Sequence, residues 1–446
     1  MNAAALKVTY LTAGAGGMYC GSCMQDNTLA RALQRLGVDI QLVPTYAPIR
    51  TDEENVSLNR VFLGGIHVYL AQQRSLVGRL PWLDRLLDHP WLIRWAASRQ
   101  VQLRPEQLGA MTVSMLRGSE GRQRREVEKL CRWLSREARP HLVHLSNMLI
   151  GGCVPSLKQS LGVPLLVTLQ GDDIFLEGLP EPFRTQALNR IRELVAHVDG
   201  FIVFSRYYED FMGRYFGIPP EKLHRVRLGI DTQRFGSTTA AAGSGGGHRP
   251  PRPATIGYVA RLAPEKGLHL LVEAFIQLRD RPGFGAARLH IAGWLGGEHQ
   301  RYAEAQFARL REAGLAGAYR FEGAIDGQRK ATFLQELDVL SVPTTYREPK
   351  GLYVLEALAS GVPVVQPEHG VFPEMLAATG GGWLVPPEDP AALAAVLERL
   401  LRDEPLRRRL GAEGQRAVRT RFDADAMGRA MLGIYRQFVK TVAGGP

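Results

Sequence analysis

Short runs of apolar, often β-branched residues alternate along this chain with longer stretches whose leucines and alanines return every three or four positions. Unbroken apolar runs mark strands buried on both faces, and helical spacing between them marks the crossovers of a parallel sheet. In the first half the strand candidates are 7–11 (KVTYL), 39–43 (DIQLV), 142–145 (LVHL), 164–169 (PLLVTL) and 200–204 (GFIVF). Segment 25–36 puts Leu29, Leu33 and Leu36 at helical spacing and stops at Gly37, a common helix terminator. The second half repeats the grammar at 254–259 (ATIGYV), 289–293 (LHIAG), 319–323 (YRFEG), 338–342 (DVLSV) and 362–366 (VPVVQ). Each half therefore predicts an α/β unit, a parallel sheet covered by helices, with ligand loops at the carboxyl ends of the strands.

Residues 236–253, GSTTAAAGSGGGHRPPRP, are small, polar and proline-interrupted, so they are expected to form a flexible linker. The predicted organisation is one unit over 1–235 and a second over 254–421, with an amphipathic helix from Phe422 to Lys440 after it. Segment 75–97 breaks the pattern by packing Trp82, Trp91 and Trp95 among leucines and arginines. It reads as a helical insertion on the first unit, as a wall for an acceptor substrate, or as a peripheral membrane contact. Pro81 and Pro90 cut it into pieces, which favours the first two.

Composition narrows the classes. At 446 residues the chain is too long for one core, and two domains are the natural division. With 45% hydrophobic and 22% charged residues, wholesale disorder is excluded. No run approaches the roughly 20 apolar residues that span a bilayer, and the opening MNAAALKVTYL has no basic region of a signal peptide. A cytoplasmic protein is expected. Its 55 Lys+Arg against 44 Asp+Glu give +11, which favours phosphorylated or otherwise anionic partners; no nucleic-acid-binding motif is present. Only eight of those basic residues are lysines. The cysteines, Cys20, Cys23, Cys131 and Cys153, are too few for a disulfide scaffold. Cys20 and Cys23 have redox spacing, but no second pair completes a metal site, and the simpler reading is structural thiols.

The chemistry gathers in REPKGLYVLEALASGVPVV, 347–365. Pro349 keeps Glu348 extended in a loop. A helix then starts near Gly351, with Leu352, Leu355, Leu358 and Ala359 on one face, and ends at Gly361. Its first amides, around Gly351 and Leu352, are unpaired donors at a positive helix end, suited to a diphosphate. Glu356, in the second turn, can accept hydrogen bonds from the vicinal hydroxyls of a ribose. Upstream, YVARLAPEKG places Arg261 and Lys266 after a strand, where two cations can hold a pyrophosphate. The loop GAGGMYCGSCMQDN (14–27) has Tyr19 where a dinucleotide fingerprint needs a small residue, and no acidic residue ends the second strand, which argues against a nicotinamide dehydrogenase.

These strings resemble the donor domain of family 4 glycosyltransferases, retaining enzymes of the GT-B fold with two Rossmann-like domains facing across a cleft. YVARLAPEKG is similar to the family's Gly-Arg-Leu…Lys-Gly stretch, with Ala260 in place of a glycine. Glu348 and Glu356 match its Glu–seven residues–Glu motif. LHIAGWLG, FEG, GVFPEML with Glu374, and GGWLVPPEDPAALAAVLERLL extend the likeness. The first half matches more weakly, at Gly16-Gly17 and at LGIDTQRF (228–235).

The resemblance implies a sugar transfer from a nucleotide sugar to an acceptor hydroxyl of a glycan, lipid or small metabolite, without cofactor or metal. Arg261 and Lys266 would stabilise the departing diphosphate, Glu348 would contact the donor sugar, Glu356 the ribose, and the Gly351 and Leu352 amides the phosphates. Gly16 and Gly17 would close over the substrates. The last helix, within 422–446, would pack back on the first domain. Two departures stand out. Gln170 replaces a histidine and cannot carry a proton, so that role would pass to Asp172 or Asp173 unless these only cap a helix. Lys350 replaces an aromatic residue and suggests a donor or acceptor carrying a carboxylate or phosphate. His144 is either a structural hydrogen-bonder or an acceptor contact. The rival classes are a non-catalytic nucleotide-sugar-binding protein and a nucleotide-sugar epimerase of the same fold.

Overall fold

The computed structural model describes residues 5–14, 20–62, 104–235 and 252–443. The tryptophan-rich segment 75–97, the pair Gly16-Gly17 and most of 236–253 lie outside the described residues. The chain divides into two compact units, Met1–Arg227 with Asp425–Pro446, and Leu228–Ala424.

In the first unit six parallel strands form one sheet: β1 (Lys7–Thr12), β2 (Asp39–Pro44), β3 (Leu142–Leu145), β4 (Leu165–Thr168), β5 (Gly200–Val203) and β6 (Leu223–Arg225), in the order β2-β1-β3-β4-β5-β6. The second sheet holds β7 (Thr255–Val259), β8 (Arg288–Ala292), β9 (Tyr319–Phe321), β10 (Val339–Ser341), β11 (Val364–Pro367) and β12 (Gly382–Val385), ordered β12-β11-β10-β7-β8-β9. The inner strands are apolar on both faces because helices cover both. Leu142, Val143, Leu165, Leu166, Val167, Phe201, Ile202 and Val203 are all fully buried, each contributing roughly 1.5–3 kcal/mol of hydrophobic stabilisation. The order reverses direction at β1 in the first sheet and at β7 in the second. Such a switch point opens a crevice at the strand ends. Because β7 pairs with β10 through Val339↔Ile256 and Leu340↔Gly257, the loops that follow these two strands emerge side by side.

The helices that matter for function are α1 (Gly21–Arg35), α2 (Asp172–Glu177), α3 (Gly327–Gln335), α4 (Leu352–Ala359) and α5 (Ala424–Ala443). α1 begins before the leucine pattern does, because its first turns bury polar residues, Gln25, Asp26 and Asn27, that hydrophobic spacing does not register. The edge strands β6 and β12 were not anticipated either. β6 is three residues long and only partly buried, and β12 is flanked by Gly380-Gly381 and Pro386-Pro387.

The boundaries differ from expectation. LGIDTQRF belongs to the second unit: Ile230 donates to the Phe422 carbonyl at 2.9 Å, Ala424 donates back to Ile230 at 2.9 Å, and Thr232 donates to Asp423 at 3.1 Å. Both flanks of 236–253 lie in that same unit. α5 lies in the first unit, where Gly428 packs on Ala32 and Phe438 on His224 and Gly200.

Candidate active site

The loop after β7 is pinned from below. The buried Tyr258 hydroxyl donates to the carbonyl of Arg261 at 3.2 Å and also reaches that of Lys266 at 3.4 Å. Arg261 is half-exposed and pairs with Glu265 at 2.7 Å; its charge is close enough to bear on Tyr346. Lys266 turns inward, to the loop after β10, and its Nζ lies 2.8 Å from Glu348 Oε2. This pair is nearly dry, with side-chain exposures of 14% and 6%.

Two tyrosines complete the cluster. The Tyr346 hydroxyl donates to Glu348 Oε2 at 2.5 Å and accepts from Lys266, while Tyr353 donates to the same oxygen at 3.3 Å. The ammonium lies 4.7 Å from the Tyr346 ring centre and 5.5 Å from that of Tyr353, within reach of cation–π attraction. The Lys350 amide donates to Glu348 Oε1 at 3.3 Å. Burial pushes the Glu348 carboxyl up, but the Lys266 charge and the hydrogen bonds from Lys266 and Tyr346 outweigh it and bring the pKa to about 2. Glu348 is therefore an anion at any physiological pH.

Gly351 caps α4 in a left-handed conformation, φ +66°, which a side chain would resist. The first bond back to Gly351 within the helix comes from Val354. The amides of Leu352 and Tyr353 thus sit at the open, positive end of the helix. One turn on, Glu356 Oε1 is 2.6 Å from Lys330 Nζ on α3. Arg261, Lys266, Glu348, Lys350, Gly351, Leu352 and Glu356 are accordingly brought together by two adjacent loops and one helix. Tyr346, Tyr353 and Lys330 were missed. The scarcity of lysine in this chain was a signal that could have found Lys330.

In the first unit the structure corrects the readings. His144 is fully buried, stacked on Tyr10 at 4.4 Å between ring centres. Its Nδ1 meets the Tyr435 hydroxyl at 2.6 Å and its Nε2 the Thr168 hydroxyl at 2.7 Å. Burial lowers its pKa to about 3, so it is a neutral core residue and not an acceptor contact. Asp172 accepts from the amides of Met148 at 2.6 Å and Gln170 at 3.0 Å; burial raises its pKa to about 6. Asp173 accepts from Tyr208 at 2.5 Å and is also raised by burial. Both carboxylates thus hold the turn into α2. Gln170 donates through Nε2 to Asp26 at 2.9 Å and to the Ser146 carbonyl at 2.8 Å. Asp26 also accepts from Tyr10 at 2.7 Å and Thr12 at 2.6 Å, a buried network that sequence reasoning did not see. Cys131 and Cys153 are buried free thiols. No helix among the described residues is long and apolar enough to cross a membrane.

Comparison with known proteins agrees with this geometry. The family described as glycosyl transferases group 1 matches residues 247–417, and the glycosyl transferase 4-like domain matches 27–229. D-inositol 3-phosphate glycosyltransferase 2 from Catenulispora acidiphila is 30% identical over 67% of this chain and 71% of that one. Glycogen synthase from Mycobacterium tuberculosis is 29% identical over 67% and 69%. Among solved structures, sucrose-phosphate synthase from Thermosynechococcus elongatus superposes with a TM-score of 0.70 at 20% identity, covering 97% of this chain and 98% of that one. Anabaena HepE, solved with UDP-glucose, superposes with a TM-score of 0.64 at 15% identity over 97% and 100%. The chain therefore belongs to the family 4-like group 1 glycosyltransferases of the GT-B fold, and is an enzyme of the hexosyltransferase type.

Proposed function

We propose that this enzyme moves a hexose from a nucleoside diphosphate sugar to an acceptor hydroxyl with retention at the anomeric carbon and without a metal ion. The observation that carries the reading is the Lys266–Glu348 pair set beside the open end of α4. A diphosphate leaving group builds negative charge as the sugar–oxygen bond breaks. Arg261, Lys266 and the Leu352 and Tyr353 amides would stabilise that charge in place of a divalent cation. Glu348, held ionised, would accept hydrogen bonds from the donor sugar's hydroxyls and favour positive charge at the anomeric carbon.

In this reading the bond from the anomeric carbon to the diphosphate breaks, the acceptor oxygen bonds the same face, and the acceptor's proton goes to the released diphosphate. Gln170 has no proton to exchange, and Asp172 and Asp173 are committed to the α2 turn. HepE's complexes with UDP and UDP-glucose support a uridine nucleotide as the first donor to test. A cytoplasmic location and a glycan, lipid or small-molecule acceptor complete the proposal.

The test is calorimetric titration with UDP, GDP and ADP of the wild type and of Lys266→Ala. Binding of one nucleotide, weakened at least about tenfold in the variant, is expected from loss of a charged hydrogen-bond donor. Equal affinity in the two proteins would remove Lys266 from the donor site. Turnover with the matching nucleotide sugar should persist in excess EDTA, and proton NMR of the product should show the donor's anomeric configuration.

A further inference from the structure

The second unit contains only three lysines, Lys266, Lys330 and Lys350. Among the described residues elsewhere in that unit, histidines aside, the ion-pair partner of a carboxylate is arginine, as where Arg329 and Arg320 bind Glu322 and Glu336. All three lysines cluster around the two glutamates of the motif. Lys266 meets Glu348 through its ammonium, Lys350 meets Glu348 through its amide, and Lys330 meets Glu356. Lys330 and Glu356 are almost buried, at 8% and 12% side-chain exposure. Charges at that depth are costly unless paired. Yet an ammonium is a point donor that can hold one carboxylate oxygen, whereas a guanidinium fork would engage both.

We propose that Lys330 is a positioning residue for the nucleoside: by holding Oε1 of Glu356 it turns that carboxylate toward the vicinal hydroxyls of the donor's ribose. The inference rests on the reading of Glu356 as the ribose ligand. Glu356 projects from the second turn of α4, and α3 packs beside α4. The N-terminus of α3 is itself fixed, since the Asp326 side chain accepts from the Arg329 amide at 2.8 Å. Lys330 therefore approaches from a rigid frame, and the glutamate's side-chain freedom is removed before any nucleotide arrives. Such preorganisation lowers the entropy lost on binding.

Ribose recognition is read by the ratio of affinities for a ribonucleotide and its 2′-deoxy counterpart. The full-length wild type, Lys330→Met and Lys330→Arg are titrated with UDP, GDP and ADP, their 2′-deoxy forms, and inorganic pyrophosphate. The wild type should prefer one ribonucleotide over its deoxy form by about tenfold, the worth of a charge-assisted hydrogen bond. In Lys330→Met that preference should collapse toward unity while the affinities for the deoxy form and pyrophosphate stay put. Lys330→Arg keeps the charge and so protects the fold, but its fork should compete for both carboxylate oxygens and lower the ratio too. A wild-type ratio in either folded variant would overturn the proposal, as would an equal loss for pyrophosphate, ribonucleotide and deoxynucleotide. Wild-type binding without any ribose preference would also overturn it and leave the donor site standing. Failure of the wild type to bind any nucleotide would instead bring down the donor reading and this inference together.

Discussion

Glu348 shows how one residue's environment sets both chemistry and stability. Its pKa falls from the ordinary 4.5 to about 2 in the folded protein. Between those values the unfolded chain binds more protons than the folded one, so stability is present above about pH 4.5 and is lost as pH falls toward 2. The shift corresponds to stabilisation on the order of 3 kcal/mol at neutral pH. Glu348→Gln should therefore unfold at lower urea than the wild type at pH 7, and the gap should narrow by pH 3. Midpoints that stay equally separated at both pH values would mean that the carboxylate's charge is not what the cluster stabilises. Much of this cluster was legible beforehand, because Arg261, Lys266, Glu348 and Glu356 stand at recognisable spacings in two loops. Tyr346 and Tyr353 were not, since nothing local announces that a tyrosine will share a carboxylate with a lysine some 80 positions upstream.

At the level of elements, the site depends on loops clasping one another at the strand ends. The Glu348 carbonyl accepts from the Val371 amide at 2.9 Å, fastening the loop after β10 to the one after β11. Gly370 makes that clasp possible: its φ is +60°, and a Cβ there would lie 2.6 Å from both the amide nitrogen and the carbonyl oxygen of Glu348. Gly370→Ala should push Glu348 off its partners and abolish transfer. A control is Gly323→Ala, with φ +69° but nothing within 4 Å of the added carbon, which carries only the backbone strain of about 1 kcal/mol. Equal activities in the two variants would show that crowding at Glu348 is unimportant. The inner strands were readable because burial on both faces makes them continuously apolar. β6 and β12 escaped because an edge strand needs less apolar sequence to hold it. The Asp26 network escaped for another reason: Asp26 and Gln170 are 144 positions apart, and periodicity carries no information across such a distance.

For the whole molecule the decisive fact is that one unit is continuous in sequence and the other is not. The second unit runs without interruption from Leu228 to Ala424, and its entry and exit are tied by the Ile230–Asp423 bridge. The first unit is closed by α5, which arrives only after the second unit has been synthesised. Its contacts are specific: Tyr435 caps the buried His144, Met427 accepts from Gln25 at 2.8 Å, and Asp425 pairs with Arg35. Residues 228–424 alone should therefore fold and bind the same nucleoside diphosphate as the full chain, within about threefold in affinity, a difference of well under 1 kcal/mol. Residues 1–227 alone should not reach the native state, because His144 and Gln25 would be left with buried polar atoms lacking their partners. Circular dichroism and the dye binding that marks exposed apolar surface would compare the two fragments. A well-folded 1–227 would show that α5 is an ornament on a finished sheet. Failure of 228–424 to bind, while folded, would mean that the cations and helix end described for the second unit are not sufficient to hold a diphosphate, and that the donor site needs residues from the other unit.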